Sequence, residues 1–149
     1  MEGALSAKDK EFILKKAIHP EGMSKPFGVW TTAFAVDASR LLFISGLTAR
    51  GPDGKVVGVG SMEEQTRQVC ENLRKSVDAA GASLGDIVWV QVFTTDVSKF
   101  AEIHAVRRQY FPSEPPASTM VEVPRLVDKD CLIEINAIAA LPKLPGSAT

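Results

Sequence analysis

Short apolar runs rich in β-branched and aromatic residues alternate along this chain with longer segments whose apolar positions recur every three or four residues. The first pattern is typical of strands and the second of amphipathic helices. Together they predict strands at 29–36 and 41–45 with a hairpin loop at 37–40, a helix at 62–80, a strand at 87–95, a helix at 99–111, and strands at 117–123 and 131–140. The order β-β-α-β-α-β-β predicts an α+β domain, a mixed sheet with two helices on one face.

The predicted first helix has the clearest boundaries. Ser61 is a favourable N-cap residue, and Glu64, three residues later, fits a capping box. The apolar positions of this helix predict one buried stripe: Thr66, Val69, Leu73, Val77 and Ala80. The second helix is expected to be capped by Asp96 or Ser98 and to end before Pro112.

The ends of the chain carry weaker patterns. Residues 8–18 are compatible with a short helix that Pro20 and Gly22 would end. The N-terminal segment and residues 141–149 are expected to be loose. We therefore interpret the whole chain of 149 residues as a single domain with its core at about 20–141.

Charge and composition argue against several classes of function. The net charge is -1, so the chain lacks the basic surface typical of nucleic-acid binding. It has no apolar stretch near the ~18 residues that span a bilayer, and its N-terminus lacks the apolar segment of a signal peptide. Cys70, Cys131, His19 and His104 are the only cysteines and histidines, and they suggest neither a disulfide framework nor a metal site. We expect a cytoplasmic protein that acts on a small-molecule substrate.

The predicted layers leave one sheet face without a cover. Helices in a sheet of this kind usually pack on one side. Because the strands are apolar, the other side is expected to be covered by further copies of the chain.

Several segments, in this order and spacing, resemble the reactive-intermediate deaminase family (RidA, also called YjgF). They are residues 26–30 (PFGVW), 43–46 (FISG), 65–68 (QTRQ), 79–88 (AAGASLGDIV), 116–123 (PASTMVEV) and 132–135 (LIEI). The resemblance implies a chorismate-mutase-like (RidA-type) fold and a homotrimer with a cleft at each subunit interface. It also implies hydrolysis of reactive enamines and imines to ketones and ammonia, with no cofactor.

The chain departs from the family pattern at the expected cleft. The family's carboxylate-binding Arg corresponds to Ser118 here, and a hydroxyl offers one neutral hydrogen bond in place of a charged fork. We expect this change to weaken the binding of small 2-imino acids by more than ten-fold, since a charge-assisted bond contributes ~1.5–3 kcal/mol. Further departures are Trp30 for tyrosine, His104 for asparagine, Arg107 for tyrosine and Met120 for cysteine.

The resemblance assigns the catalytic carboxylate to Glu134, which would polarise a water. From its pattern alone, an acid in the apolar segment 132–135 either lies at an exposed strand edge, which the pattern favours, or is buried with a partner. His104 is the second catalytic candidate, as a proton relay, against an ordinary surface or interface histidine. Arg107 is either an anion anchor that replaces the missing Arg or an exposed helical residue.

The remaining candidates are substrate-binding residues. Trp30 either belongs to the core or lines a cleft for a larger or flatter substrate. Gly46 would let a substrate approach the backbone closely. The others are polar or apolar pocket residues, or plain sheet residues: Ser45, Ser118, Thr119 and Met120.

Three functions remain open at this stage. The leading hypothesis is a deaminase or related hydrolase that adds water to a substrate other than a small 2-imino acid. The alternative is a non-catalytic trimer that binds a small ligand or a protein. Ribonuclease activity, attributed to some relatives, is disfavoured by the balanced charge.

Overall fold

The computed structural model describes residues 14–143. Within this range the elements are β1 (Leu14–Ile18), β2 (Ala33–Asp37), β3 (Arg40–Leu47), α1 (Met62–Ala79), β4 (Ile87–Thr94), α2 (Phe100–Tyr110), β5 (Ala117–Glu122) and β6 (Ile133–Leu141). Two short 3-10 turns precede β4 and α2. None of the helices in this part of the chain is long and apolar enough to cross a membrane.

The main sheet has the strand order β3-β6-β4-β5. β6 pairs antiparallel with both β3 and β4, whereas β4 and β5 run parallel and are joined through α2. Both helices pack on one face of this sheet. The predicted α+β class, a mixed sheet with two helices on one face, is confirmed.

The core lies between the helices and the sheet. Alternate residues of β6 are buried on the helix side, beginning with Ile133 and Ile135. They meet the stripe of α1, in which Val69, Leu73 and Val77 are fully buried as predicted. The hydroxyl of Ser61 accepts a hydrogen bond from the backbone N–H of Glu64 at 3.2 Å, which confirms Ser61 as the N-cap of α1.

Two predictions near the N-terminus are wrong. Leu14–Ile18 is a strand, not the end of a helix, because it forms a five-pair antiparallel ladder with β2; residues 8–13 lie outside the described range. The ammonium group of Lys15 donates a hydrogen bond to the carbonyl of Gly85 at 2.8 Å, which connects this strand to the main part of the chain. It also lies 4.8 Å from the ring centroid of Phe34, in β2. The predicted hairpin between the first two strands is also absent, since β2 pairs with β1 and β3 pairs with β6.

The segment from Val29 to Thr32 was predicted as strand but lies outside every sheet. Its backbone has other partners. The N–H of Val29 donates to the side chain of His104, and the N–H of Thr31 donates to the carbonyl of Pro116 at 3.2 Å. The segment therefore connects α2 to the start of β5.

We call the sheet face opposite the helices the open face. Leu41, Phe43 and Val121 lie on it, with 52%, 72% and 43% of their surface exposed. They alternate along their strands with residues that face the helices, such as the buried Ile44. Gln91 and Asn136 form a cross-strand polar pair, at 3.3 Å, on the same face. An apolar surface of this kind is typical of a protein contact.

Candidate functional site

Helix α2 carries three candidate groups along one side. Phe100, His104 and Arg107 are spaced by four and three residues, which places their side chains one above the other. The rings of Phe100 and His104 stack with centroids 4.0 Å apart and an interplanar angle of 24°. This spacing was present in the sequence, but Phe100 was not among the predicted site residues.

The imidazole of His104 has a fixed orientation. Its Nδ1 atom accepts a hydrogen bond from the backbone N–H of Val29 at 2.8 Å. The loop can approach the ring this closely because residue 28 is glycine: a Cβ on Gly28 would lie 2.5 Å from Cε1 of His104. An accepting Nδ1 places the proton of the neutral ring on Nε2, so His104 presents one N–H donor.

His104 is buried, with 4% of its surface exposed. Burial, together with the positive charges of Arg107 and Arg108, lowers the pKa of His104 from 6.5 to about 4. The ring is therefore neutral at physiological pH. Uptake of a proton at Nδ1 would break the bond to Val29, so the geometry suits a hydrogen-bond donor better than the predicted proton relay.

This arrangement predicts a specific pH dependence of stability. The unfolded chain protonates His104 near pH 6.5, but the folded chain does so only near pH 4. Between these values the unfolded state binds more protons, so stability falls as the pH is lowered through this range. In thermal melts from pH 7.5 to 3.5, His104→Asn should lack this component, which amounts to about 2 kcal/mol. If the melting temperatures of the wild type and of His104→Asn changed in parallel with pH over this range, the low pKa of His104 in the folded chain would be contradicted.

Arg107 is buried, with 1% of its surface exposed, so the prediction of an exposed helical residue is wrong. Its Nη2 atom donates to the hydroxyl of Ser118 at 3.1 Å. Its Nη1 atom is buried and has no hydrogen-bond partner in residues 14–143. Burial lowers the pKa of Arg107 from 12.5 to about 10, which still leaves it charged at neutral pH.

Three further aromatic rings lie around His104. Trp30 lies edge-on to His104, at 6.0 Å between centroids, and edge-on to Phe27, at 4.6 Å. Phe27 also approaches Phe100 at 6.0 Å, and 80% of its surface is exposed. Trp30 is half-buried here and is not part of the hydrophobic core. The rings therefore form a partly exposed aromatic cluster: Phe27, Trp30, Phe100 and His104.

Glu134 occupies a different place. It lies in β6 between the buried Ile133 and Ile135, so its half-buried side chain points to the open face. There it lies over Gly46: a Cβ at that position would be 2.8 Å from Cδ of Glu134. Ser45, next to it, is exposed.

The contact with Gly46 predicts the effect of a small substitution. In Gly46→Ala the new methyl group would overlap the Glu134 carboxylate, which is the flexible end of its side chain and would move away. On the catalytic role that the resemblance implies for Glu134, we expect turnover to fall by roughly ten-fold or more, because misplacement of a catalytic group by about 1 Å can have this effect. Stability should change little, which circular dichroism melts would show. Full activity in Gly46→Ala would contradict a catalytic role for Glu134 in the position described.

The predicted site residues thus form two groups within one chain. Ser118 and Met120 alternate with Thr119 along β5, and the bond from Arg107 shows that Ser118 faces the helices. Thr119 therefore shares the open face with Glu134. The chain brings together Trp30, His104, Arg107 and Ser118 on one side of the sheet, and Ser45, Gly46 and Glu134 on the other.

Other reactive groups in residues 14–143 offer little chemistry. Burial raises the pKa of the Cys70 thiol from 9.0 to about 12, which keeps it protonated and unreactive. Burial also raises the pKa of Cys131. No cluster of three His, Cys, Asp or Glu side chains in the described residues is arranged to hold a metal ion.

Comparison with known proteins gives consistent matches. The profile of the family described as Endoribonuclease L-PSP matches residues 24–141. A RutC family protein of Pyrococcus horikoshii is 40% identical over 126 residues, 85% of this chain and 98% of that protein. The 3-aminoacrylate deaminase RutC of Acinetobacter baylyi is 35% identical over 84% of this chain and 97% of its own length. The crystal structure of the Rid family protein YyfB from Yersinia pestis, described as of unknown function, superposes with a TM-score of 0.79 at 32% identity, covering 85% and 98% of the two chains.

Proposed function

This chain belongs to the Endoribonuclease L-PSP family, with the Rid and RutC proteins among its relatives, and on that premise we propose that it is a deaminase of enamines or imines. Its architecture is the chorismate-mutase-like fold expected from the resemblance. The observation that carries the proposal is the position of the Glu134 carboxylate, which lies directly over the backbone of Gly46 in β3. A relative of 35% identity is named for an enamine substrate, 3-aminoacrylate, which favours the same class of reaction here.

The proposed reaction needs only water and a carboxylate. An enamine is first protonated on carbon and becomes an imine. Glu134 then accepts a proton from a water as the water oxygen bonds to the C=N carbon, and it passes this proton to the nitrogen, which gives a carbinolamine. The hydroxyl proton of the carbinolamine is next transferred through Glu134 to the nitrogen, so that the C–N bond breaks, ammonia leaves and a C=O bond forms. Overall, one imine and one water give one ketone or aldehyde and one ammonia, with no change in oxidation state and no cofactor.

A complete site requires more than one copy of the chain. Glu134 and Gly46 lie on the open face, whereas Arg107, His104 and Ser118 lie on the helix side of β5. β5 is an edge strand of the main sheet, so a second copy that packs on the open face can bring its own β5 beside Glu134. The exposed apolar residues of the open face support this contact. We propose the homotrimer with interface clefts that the resemblance implies.

The aromatic cluster favours a substrate with a flat or apolar group. Phe27, Trp30 and Phe100 offer ring surfaces beside the single N–H donor of His104. Such a wall would accept an unsaturated or larger side group better than the smallest 2-imino acids. His104 then orients the substrate through a hydrogen bond and does not titrate during turnover.

The family description names a ribonuclease, but the chain offers little support for RNA binding. Its net charge is -1 and it lacks a basic stripe. The single buried cation at the site, Arg107, cannot follow a phosphate backbone. We therefore favour a small-molecule substrate.

The test is ammonia release from imines generated in the cuvette by an amino-acid oxidase, with side chains from methyl to phenyl. We expect release above background for the larger or flatter imines. No release across the whole panel would refute the deaminase. A compound that raised the melting temperature without being consumed would instead support a non-catalytic binding protein.

A further inference from the structure

The guanidinium of Arg107 is a buried cation with no acidic partner in the described part of the chain. Its one hydrogen bond goes to the neutral hydroxyl of Ser118, and Nη1 has none. A buried charge is costly unless it is paired or hydrogen-bonded. By contrast, three arginines form ion pairs with carboxylates at the protein surface: Arg50, Arg67 and Arg74.

The guanidinium of Arg107 lies beside Ser118 in β5. Ser118 stands where the family's carboxylate-binding arginine is expected, and Arg107 delivers its guanidinium to that same hydroxyl from the neighbouring helix. A serine is small enough to leave space beside it, whereas an arginine at 118 would compete for the same volume and charge. Helix α2 therefore supplies a positive charge beside Ser118, the strand position at which the family pattern has an arginine.

We propose that Arg107 is the anion-binding residue of the site and selects substrates that carry a carboxylate, with Ser118 as its positioning residue. The inference rests on the proposed function for the identity of the reaction, but the binding site stands on its own contacts. The unpartnered Nη1–H and the Ser118 hydroxyl together offer the carboxylate a charged and a neutral donor.

This assignment changes one expectation from the sequence. Replacement of the family arginine by Ser118 predicted weak binding of acidic substrates. A guanidinium supplied by α2 instead keeps carboxylate-bearing imines within reach. Their side groups would extend from Arg107 past His104 toward Phe100, a distance along the helix of ~10 Å at 1.5 Å per residue.

The test measures binding, separately from turnover. The probes are 4-methyl-2-oxopentanoate, a carboxylate, and its primary amide, a neutral molecule of nearly equal shape. We expect isothermal calorimetry to show at least ten-fold tighter binding of the acid by the wild-type protein, and Arg107→Gln to abolish this preference. Arg107→Lys keeps the positive charge but lacks the two-pronged guanidinium, so its preference for the acid should lie between those of the wild type and Arg107→Gln. Arg108→Gln, which removes an exposed charge from the next position, is the matched control and should retain the full preference.

The double variant Arg107→Gln, Ser118→Arg returns the guanidinium to the strand and should recover the preference for the acid. Equal binding of acid and amide by the wild type, or a preference that survives Arg107→Gln, would overturn the proposal. So would dissociation of the oligomer in Arg107→Gln, which would assign the cation to a subunit contact. Because no turnover enters these measurements, a protein that prefers the acid but releases no ammonia would refute the deaminase and leave the anion site standing.

Discussion

Replacement of Glu134 by glutamine is expected to lower deaminase turnover by at least ~100-fold, the usual contribution of a general acid–base group. The amide preserves the shape of the side chain over Gly46 but cannot accept the proton of an attacking water. Substrate affinity should change little, because the carboxylate acts on water and not on the substrate's own charge. Steady-state ammonia release over a range of substrate concentrations separates the two parameters.

The matched control is Glu63→Gln. Glu63 is an exposed residue of α1 whose carboxylate forms an ion pair with Arg67 at the surface. It should retain wild-type kinetics, since an exposed pair contributes only ~0.3–0.5 kcal/mol to stability. If Glu134→Gln kept more than a tenth of wild-type turnover, water activation would have to be assigned to another group.

Replacement of Phe43 by glutamate is expected to dissociate the proposed homotrimer and to abolish the proposed activity in the same step. Phe43 is 72% exposed and lies with Leu41 on β3, at one edge of the open face. A carboxylate buried there without a partner would cost several kcal/mol in each copy. Because Glu134 and Ser118 lie on opposite sides of the sheet, separated chains have an incomplete site, and turnover should fall by more than ~100-fold.

Sedimentation velocity combined with activity measurements would test this expectation. Ala79→Glu introduces the same charge at an exposed position of α1, in the helix layer on the opposite side of the sheet, and should leave both assembly and activity intact. A Phe43→Glu protein that remained assembled and active would show that the open face is not the contact. A monomeric and fully active variant would show that one chain holds the complete site.

The strongly periodic elements could be predicted from the sequence because local pattern and packing agree in them. In α1 the cap at Ser61 and the stripe through Val69, Leu73 and Val77 specify the same helix. The strand β1 could not be predicted, because the segment Leu14–Ile18 fits either element and only pairing with β2 decides it. The hairpin was predicted wrongly for the same reason. A short loop between two strands does not decide whether they pair, because the pairing depends on the other strands of the sheet.

The sequence suggested several residues of the candidate site, but neither its aromatic residues Phe27 and Phe100 nor the arrangement of the group. The resemblance pointed to Glu134 and Ser118, and a period-two pattern shows which face of a strand each occupies once the core is known. Helical spacing alone did not show that Arg107 turns inward to Ser118, since an arginine at such a position is usually exposed. Likewise, the backbone donor that orients His104 comes from Val29, far away in the chain.

The strand order has a consequence for how this protein is made. β6 is the last of the described strands in the chain, yet it occupies an inner position of the sheet, between β3 and β4. Until the ribosome has added the residues from Ile133 onward, both of those strands lack their shared neighbour. Arg40 of β3, for example, cannot form its pair with Leu141 of β6 before Leu141 has been synthesised. Long-range pairing of this kind slows folding and leaves strand edges open in the meantime. The sheet of a nascent chain therefore stays incomplete until β6 is inserted, and its open strand edges favour aggregation until that moment.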